Sequence, residues 1–299
     1  MNILVIGSKG FIGSHVCQYL TPKHQVWSCD VVVDYVSPNY LQIDASNADF
    51  KVLFNEQLFD VCINCSGAAS VPDSLKNPLR DFNLNTIHVF RILDAIRQFQ
   101  PTCRFLNFSS AAVYGNPQRL PIQENDLLRP LSPYGLHKLA AENICQEFQT
   151  YYGISTCSLR VFSAYGEGLS KQLFWDLFQK AQQPQPVSIY GTGRESRDFI
   201  YIKDLVRIVE LIINDSAFNL PVINVASGEE TTIQEAVQTF FGLFDQPIHY
   251  QFTGQQRLGD PINWVADIGH LKQLGYVQHY SLAQGLNNYY QWSQQFASK

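Results

Sequence analysis

The sequence predicts a doubly wound α/β fold, a parallel sheet with helices on both faces, followed by a smaller mixed α/β domain. Three observations predict it. Through the first two-thirds of the chain, short β-branched runs alternate with longer amphipathic stretches. The runs are apolar without the in–out alternation of a half-exposed strand, which suits parallel strands covered on both faces. Finally, the turn Gly7-Ser8-Lys9-Gly10-Phe11-Ile12-Gly13 joins the first run to the first helical stretch.

Strands are expected at 3–6, 25–29, 61–65, 104–108 and 155–161, with helices at 12–20, 83–98 and 134–151 between them. In the second helix Ile87, Phe90, Ile92, Leu93 and Ile96 fall close to helical spacing. After Gly166 the pattern loosens. Helical stretches at 171–182, 204–214 and 232–244 mix with short strands at 186–190 and 222–225, and Pro184, Pro186, Pro221, Pro247 and Pro261 punctuate them. The expected division is a nucleotide-binding domain over 1–166 and a substrate-binding domain over 167–299, some of whose segments return to the first sheet.

At 299 residues the chain is long enough for a substantial core. Charged residues are only 16% and the net charge is −5, which argues against disorder and against a broad nucleic-acid surface. Seven cysteines, an odd number, do not suit a disulfide framework. No apolar run approaches the ~20 residues of a membrane span, and Asn2-Ile3-Leu4-Val5-Ile6 opens without a basic leader. The expectation is a reduced, cytoplasmic, globular protein.

Glycines suit the 7–13 turn because the backbone must bend tightly and approach a pyrophosphate, which the following helix N-terminus attracts. Asp30 closes the second strand seventeen positions after Gly13. A carboxylate there accepts both hydroxyls of an adenosine ribose, favouring NAD over NADP. Lys9 pulls the other way, since a cation beside the ribose welcomes a 2′-phosphate.

Tyr134 and Lys138 are four residues apart and share one helix face. A tyrosine used as a base near neutrality must fall from about 10 by roughly three pKa units, or ~4 kcal/mol. A lysine and a cationic nicotinamide nearby both favour the phenolate. About twenty residues earlier, Ser109-Ser110-Ala111-Ala112-Val113-Tyr114-Gly115 follows a strand and offers a serine hydroxyl to the reacting oxygen.

With these motifs in place the chain resembles the extended short-chain dehydrogenase/reductase family, in its nucleotide-sugar epimerase/dehydratase/reductase group, over nearly its whole length. The resemblance implies a Rossmann domain binding NAD. Gly7, Lys9, Gly10, Phe11, Ile12, Gly13 and Asp30 would lie along the cofactor, with Asp44 and Ala45 near the adenine. Cys65-Ser66-Gly67-Ala68-Ala69 resembles the stretch beside the diphosphate, so Ser66, Gly67 and Ala68 join that set, together with Asn85, Ser109 and Phe162. It implies Ser110, Tyr134 and Lys138 as catalytic residues, with Ser110 rather than Ser109 at the serine place and Lys138 also as ribose ligand and phenolate stabiliser. Arg160-Val-Phe-Ser-Ala-Tyr-Gly166 matches the strand beside the nicotinamide but carries Ser163 where asparagine is usual.

For the substrate, a nucleotide-diphosphate sugar, the resemblance implies Ser110, Ala111, Ala112, Tyr134 and Ser163, with Arg197 and Arg257 on the diphosphate and Asp260 on a nucleoside hydroxyl. A guanidinium fork matches phosphate oxygens bidentately. It also implies a homodimer formed through the helices bearing Asn85 and Tyr134. Cys62 and Cys65 sit on opposite faces of a strand and read as packing. His137 is read as a surface or interface histidine and Trp264 as core.

The reading of the reaction is NAD-dependent C4 epimerisation of a nucleotide-diphosphate hexose through a transient 4-keto sugar. The alternative is an NAD(P)H-dependent reductase of a nucleotide-diphosphate 4-keto-6-deoxyhexose. A dehydratase is disfavoured because Ala111-Ala112 occupy the place of the acid pair that eliminates water. A cofactor-binding redox sensor without turnover is a third reading, opposed by the complete Ser110/Tyr134/Lys138 set.

Overall fold

The computed structural model describes residues 1–44, 48–184, 186–214, 218, 220–255, 259 and 261–296. Its strands are β1 (Asn2–Ile6), β2 (Gln25–Asp30), β3 (Tyr40–Gln42), β4 (Val61–Asn64), β5 (Arg104–Ser110), β6 (Thr156–Val161), β7 (Ser163–Tyr165), β8 (Val187–Ile189), β9 (Ser196–Tyr201), β10 (Val222–Val225), β11 (Glu230–Thr232) and β12 (Tyr250–Phe252). Among the described residues, seven of them form one parallel sheet in the order β10-β6-β5-β4-β1-β2-β3. The order reverses between β1 and β4, and in an open α/β sheet the crevice beyond the strand ends at that point is where ligands bind.

The apolar runs lack alternation because both faces are covered. Along β1, Ile3 and Val5 join one core with Val16, Leu20, Leu205 and Ile208. Leu4 and Ile6 join the opposite core with Ile92, Leu93, Ile96 and Phe148. Helices Phe11–Leu20 and Ile202–Asn214 thus cover one face, and His88–Phe99 and Pro133–Tyr152 the other. Cys62 and Cys65 fall in the two different cores, and all seven cysteines are free thiols.

The expected elements recur with ends moved by up to three residues. The expected single helix over 83–98 is instead a π-helical turn, Asn83–Ile87, leading into His88–Phe99. That widened turn buries Asn85 and Thr86 against Pro133–Tyr152, where Thr86 Oγ1 donates to the His137 carbonyl at 2.9 Å. Apolar spacing does not report a local change from i+4 to i+5 hydrogen bonding.

The later part of the chain is stitched back to the first. Strand β10 pairs with β6, and Lys23 and Tyr19 reach Glu210 on Ile202–Asn214, both at 2.8 Å. The small sheet β11-β9-β7 begins before Gly166, since β7 belongs to it, and β12 pairs with β8. Strand β9 is pinned by Asp198, which accepts from Ser227 N (2.8 Å) and Oγ (2.7 Å), Gly228 N (3.0 Å) and Ala266 N (3.1 Å). Burial raises this carboxyl to about 6. Its neighbour Arg197 is thereby held at the mouth of the crevice.

Candidate active site

A cavity of about 590 Å³ runs from the glycine turn to Arg197. Gly10, Phe11 and Ile12 line one end, Arg197 and Trp264 the other, with Ser110, Tyr134, Lys138, Phe162 and Ser163 in the wall between. At the first end, a Cβ on Gly13 would stand 2.1 Å from the Gly7 carbonyl oxygen, and one on Gly7, whose φ is +82°, would stand 2.6 Å from Ser66 N. Only glycine lets the turn fold against its helix and against the 66–68 loop. No side chain caps the helix that follows, leaving its N-terminus open to an anion.

Asp30 sits just beyond, accepting Lys9 N–H at 2.8 Å and Val31 N–H at 2.7 Å. The Lys9 ammonium is ion-paired with Asp34. Asp44 is exposed just past β3, at the same edge of the sheet. Ala45, Arg257 and Asp260 lie outside the described residues. Gly67, Asn85 and Lys138 converge: a Cβ on Gly67 would meet Asn85 Oδ1 at 2.5 Å and Lys138 Nζ at 3.5 Å. Asn85 is 1% exposed and neither atom of its amide has a hydrogen-bond partner. A buried unpaired amide is costly, and together with the glycine cradle it fits a dinucleotide lying along this wall.

Tyr134 and Ser110 meet because helix Pro133–Tyr152 starts close to the end of β5. Ser132 caps the helix, accepting Gly135 N–H at 3.2 Å, with Pro133 next. A Cβ on Gly135 would be 2.7 Å from the Ala112 carbonyl, so glycine inside the Tyr-Gly-Leu-His-Lys stretch permits the approach. Ser110 Oγ accepts Ala112 N–H at 3.1 Å and is hydrogen-bonded to Tyr134.

Several expectations are corrected here. Ser109 lines the cavity, but pleating turns its hydroxyl onto Glu142. Ala111 is fully buried in the core, and only Ala112 faces the cavity. His137, read as a surface or interface histidine, is half-buried, with Pro78–Phe82 packed over it and Asp81 Oδ2 2.6 Å from its Nδ1. Trp264, by contrast, packs in the core as expected, donates to the Gly115 carbonyl at 2.9 Å, and also lines the cavity.

The electrostatics also differ from the simple pairing. Lys138 Nζ donates to the Phe108 carbonyl at 2.8 Å, and burial lowers its pKa to about 8. Burial pushes the Tyr134 phenol up to about 12, against the opposing pull of its Ser110 hydrogen bond. Without a ligand, both groups sit in a poorly solvated wall that disfavours charge, so the phenolate is not formed at neutrality. For Lys138 the unfolded group titrates near 10.5, so between about pH 8 and 10.5 the unfolded chain holds the extra proton. The contribution of Lys138 to stability therefore rises with pH across that window. NMR of ligand-free protein with labelled lysine is expected to show one side chain with a midpoint near 8 that vanishes in Lys138→Met.

The Arg197 guanidinium stacks 5.6 Å from the Trp264 ring and donates to the Ser196 and Ile262 carbonyls at 2.7 and 3.1 Å. Sequence reasoning missed Lys171 and Gln172, which also line the cavity. Gln172 has φ +67°, a backbone state that no residue pattern announces. It missed the buried Asn64–Asn107 pair as well, although an asparagine within an otherwise apolar strand is a usable signal: Asn64 Oδ1 accepts the Ser66 hydroxyl and so orients the 66–68 loop.

The profile of the NAD-dependent epimerase/dehydratase family matches residues 3–226. A putative UDP-glucose 4-epimerase of Methanocaldococcus jannaschii is 27% identical over 97% of each chain. An uncharacterised UDP-glucose epimerase of Bacillus subtilis is 30% identical over 96% of each. Among solved structures, a UDP-glucuronic acid 4-epimerase from Bacillus cereus, in complex with UDP-glucuronic acid and NAD, has a TM-score of 0.90 at 26% identity, covering 99% of this chain and 100% of that one. A UDP-N-acetylglucosamine 4-epimerase from Methanobrevibacter ruminantium has a TM-score of 0.88 at 26% identity, covering 99% and 98%.

Proposed function

The chain belongs to the NAD-dependent epimerase/dehydratase family, and from that premise we propose that it epimerises a nucleotide-diphosphate hexose at C4 through a transient 4-keto sugar. The observation that carries this is the single cavity joining an anion-binding turn, the Ser110/Tyr134/Lys138 set and Arg197. Bound NAD supplies the acceptor, and then the donor, of one hydride. Gly7, Gly10, Phe11, Ile12 and Gly13 would hold its diphosphate, Asp30 its adenosine ribose, and Ser66, Gly67, Ala68, Asn85, Lys138 and Phe162 the remainder. The residues of the chain move the proton: Tyr134 takes it from the 4-hydroxyl and returns it, while Ser110 hydrogen-bonds the same oxygen. Arg197 takes the sugar-nucleotide diphosphate, and Ala112 and Ser163 face the sugar.

Residues 1–166 would then carry mainly the cofactor and 167–299 mainly the substrate. Methyl groups at positions 111 and 112 supply no acid for water elimination. The ketoreductase alternative drew on Lys9 as a 2′-phosphate site, and the Asp34 pairing takes that support away. Relatives of two kinds, bearing UDP-glucose and UDP-glucuronic acid names, support a nucleotide hexose. We read the protein as a cytoplasmic enzyme of polysaccharide biosynthesis working as a homodimer. Exposed Leu79, Phe90 and Leu136, on and beside the helices expected at the dimer contact, support the pairing. No helix of the described residues is long and apolar enough to cross a membrane.

The test is incubation with NAD and a panel of nucleotide-diphosphate hexoses and their 4-keto-6-deoxy derivatives, followed by NMR. The 4-epimer is expected without net change in the cofactor. Stoichiometric NAD(P)H oxidation with a 4-keto sugar, and no epimer, would sink the proposal.

A further inference from the structure

We propose that the Lys9–Asp34 ion pair is a cofactor-selectivity device that makes the glycine turn prefer an unmodified adenosine ribose, hence NAD over NADP. The inference rests on the dinucleotide reading above. Lys9 lies inside the turn, and its backbone N–H is fixed on the Asp30 carboxylate at 2.8 Å. Its ammonium is therefore tied to the ribose edge of the site, where it would be free to meet a 2′-phosphate. The structure gives that ammonium another partner. Asp34, on the loop after β2, engages it directly, and the Tyr40 ring centroid lies 5.0 Å from it.

Asp34 is held for this role. Its Oδ1 accepts Val36 N–H at 2.8 Å and Ser37 N–H at 3.0 Å, and its Oδ2 accepts the Ser37 hydroxyl at 2.6 Å along with Lys9. Tyr40 OH donates to the Val32 carbonyl and closes the same loop. The Asp34 side chain is only 13% exposed. The Lys9 ammonium first, and then the Ser37 and Val36 donors, hold its carboxyl well below the usual range, so it stays ionised. Two carboxylates, Asp30 on the Lys9 backbone N–H and Asp34 on its ammonium, accompany one cation, leaving one net negative charge at the ribose edge. A 2′-phosphate meets that charge with its own, whereas a neutral diol does not. A lysine that on spacing alone invites NADP is converted by its partner into part of a site that rejects it.

The experiment measures Kd for NAD and for NADP by calorimetric titration of the full chain, at low and at physiological salt. Asp34→Asn keeps an oxygen for the Val36 and Ser37 N–H groups, so the loop is retained while the charge is lost. It is expected to move the NADP-to-NAD Kd ratio about ten-fold toward NADP at low salt, and less at high salt, as a screened charge effect requires. In the Lys9→Gln/Asp34→Asn double variant the gain should disappear. A ratio within about two-fold of wild type in Asp34→Asn, or a gain that persists without Lys9, overturns the selectivity role. So does wild-type protein that binds NADP as tightly as NAD. Wild type that binds neither dinucleotide overturns the cofactor reading itself, a distinct outcome.

Discussion

Tyr134→Phe is expected to lower kcat by about 10²–10⁴-fold, the range for loss of a positioned general acid–base. The ring packing is kept, so the dinucleotide Kd and the melting temperature should stay near wild type. The loss then isolates the hydroxyl. Because burial holds the ligand-free phenol up at about 12, its ultraviolet ionisation band should be absent through neutral pH. Saturation with NAD is expected to bring that ionisation down toward the working range, and Tyr134→Phe should abolish the change. A variant retaining more than about a tenth of the wild-type rate would remove Tyr134 from proton transfer.

Arg160→Met is expected to destabilise the fold by about 3–5 kcal/mol, the cost of stranding one partner of a buried ion pair. Arg160 and Glu142 are 4% and 7% exposed and meet through Nη2 and Oε2 at 2.7 Å and Nε and Oε1 at 3.0 Å. The guanidinium also donates to the Tyr114 hydroxyl at 2.9 Å and the Glu124 carbonyl at 2.8 Å. Removing it strands three acceptors at once. Glu142 in turn holds Ser109, so the damage passes along β5 to Ser110. Equilibrium urea unfolding measures it. The Arg160→Met/Glu142→Leu double variant should be more stable than the single one, since it removes the uncompensated charge. A single variant that loses less than about 1 kcal/mol would show that the pair adds little to stability.

The two predictions differ in how far the sequence could foresee them. Tyr134 and Lys138 are legible because four-residue spacing puts side chains on one helix face whatever the rest of the fold does. The 7–13 turn is legible for a similar reason, since its glycines follow a strand and open a helix. The Arg160–Glu142 pair is not. Its partners are eighteen residues apart, on a strand and a helix, and no local pattern joins them. The same holds for Asn85, an ordinary helix residue by spacing, which the π turn places against Gly67 and Lys138. The short strands β3, β7, β11 and β12 carry too few residues for periodicity to mark them, and their pairing depends on distant partners.

By itself the sequence determined the parallel sheet, the glycine turn between its first strand and first helix, and the Tyr134–Lys138 face, because these are written in short-range spacing that the backbone must obey. Tertiary structure alone decided the partners of the two adjacent serine hydroxyls, sending Ser109 to Glu142 and Ser110 to Tyr134. It decided that Lys9 is paired with Asp34, and that Tyr134 and Lys138 rest in their uncharging directions before any ligand arrives. The physical reason is common to all three. Charge state and hydrogen-bond partner depend on solvent exclusion and on groups brought from elsewhere in the chain, and neither is a property of a residue's neighbours in sequence.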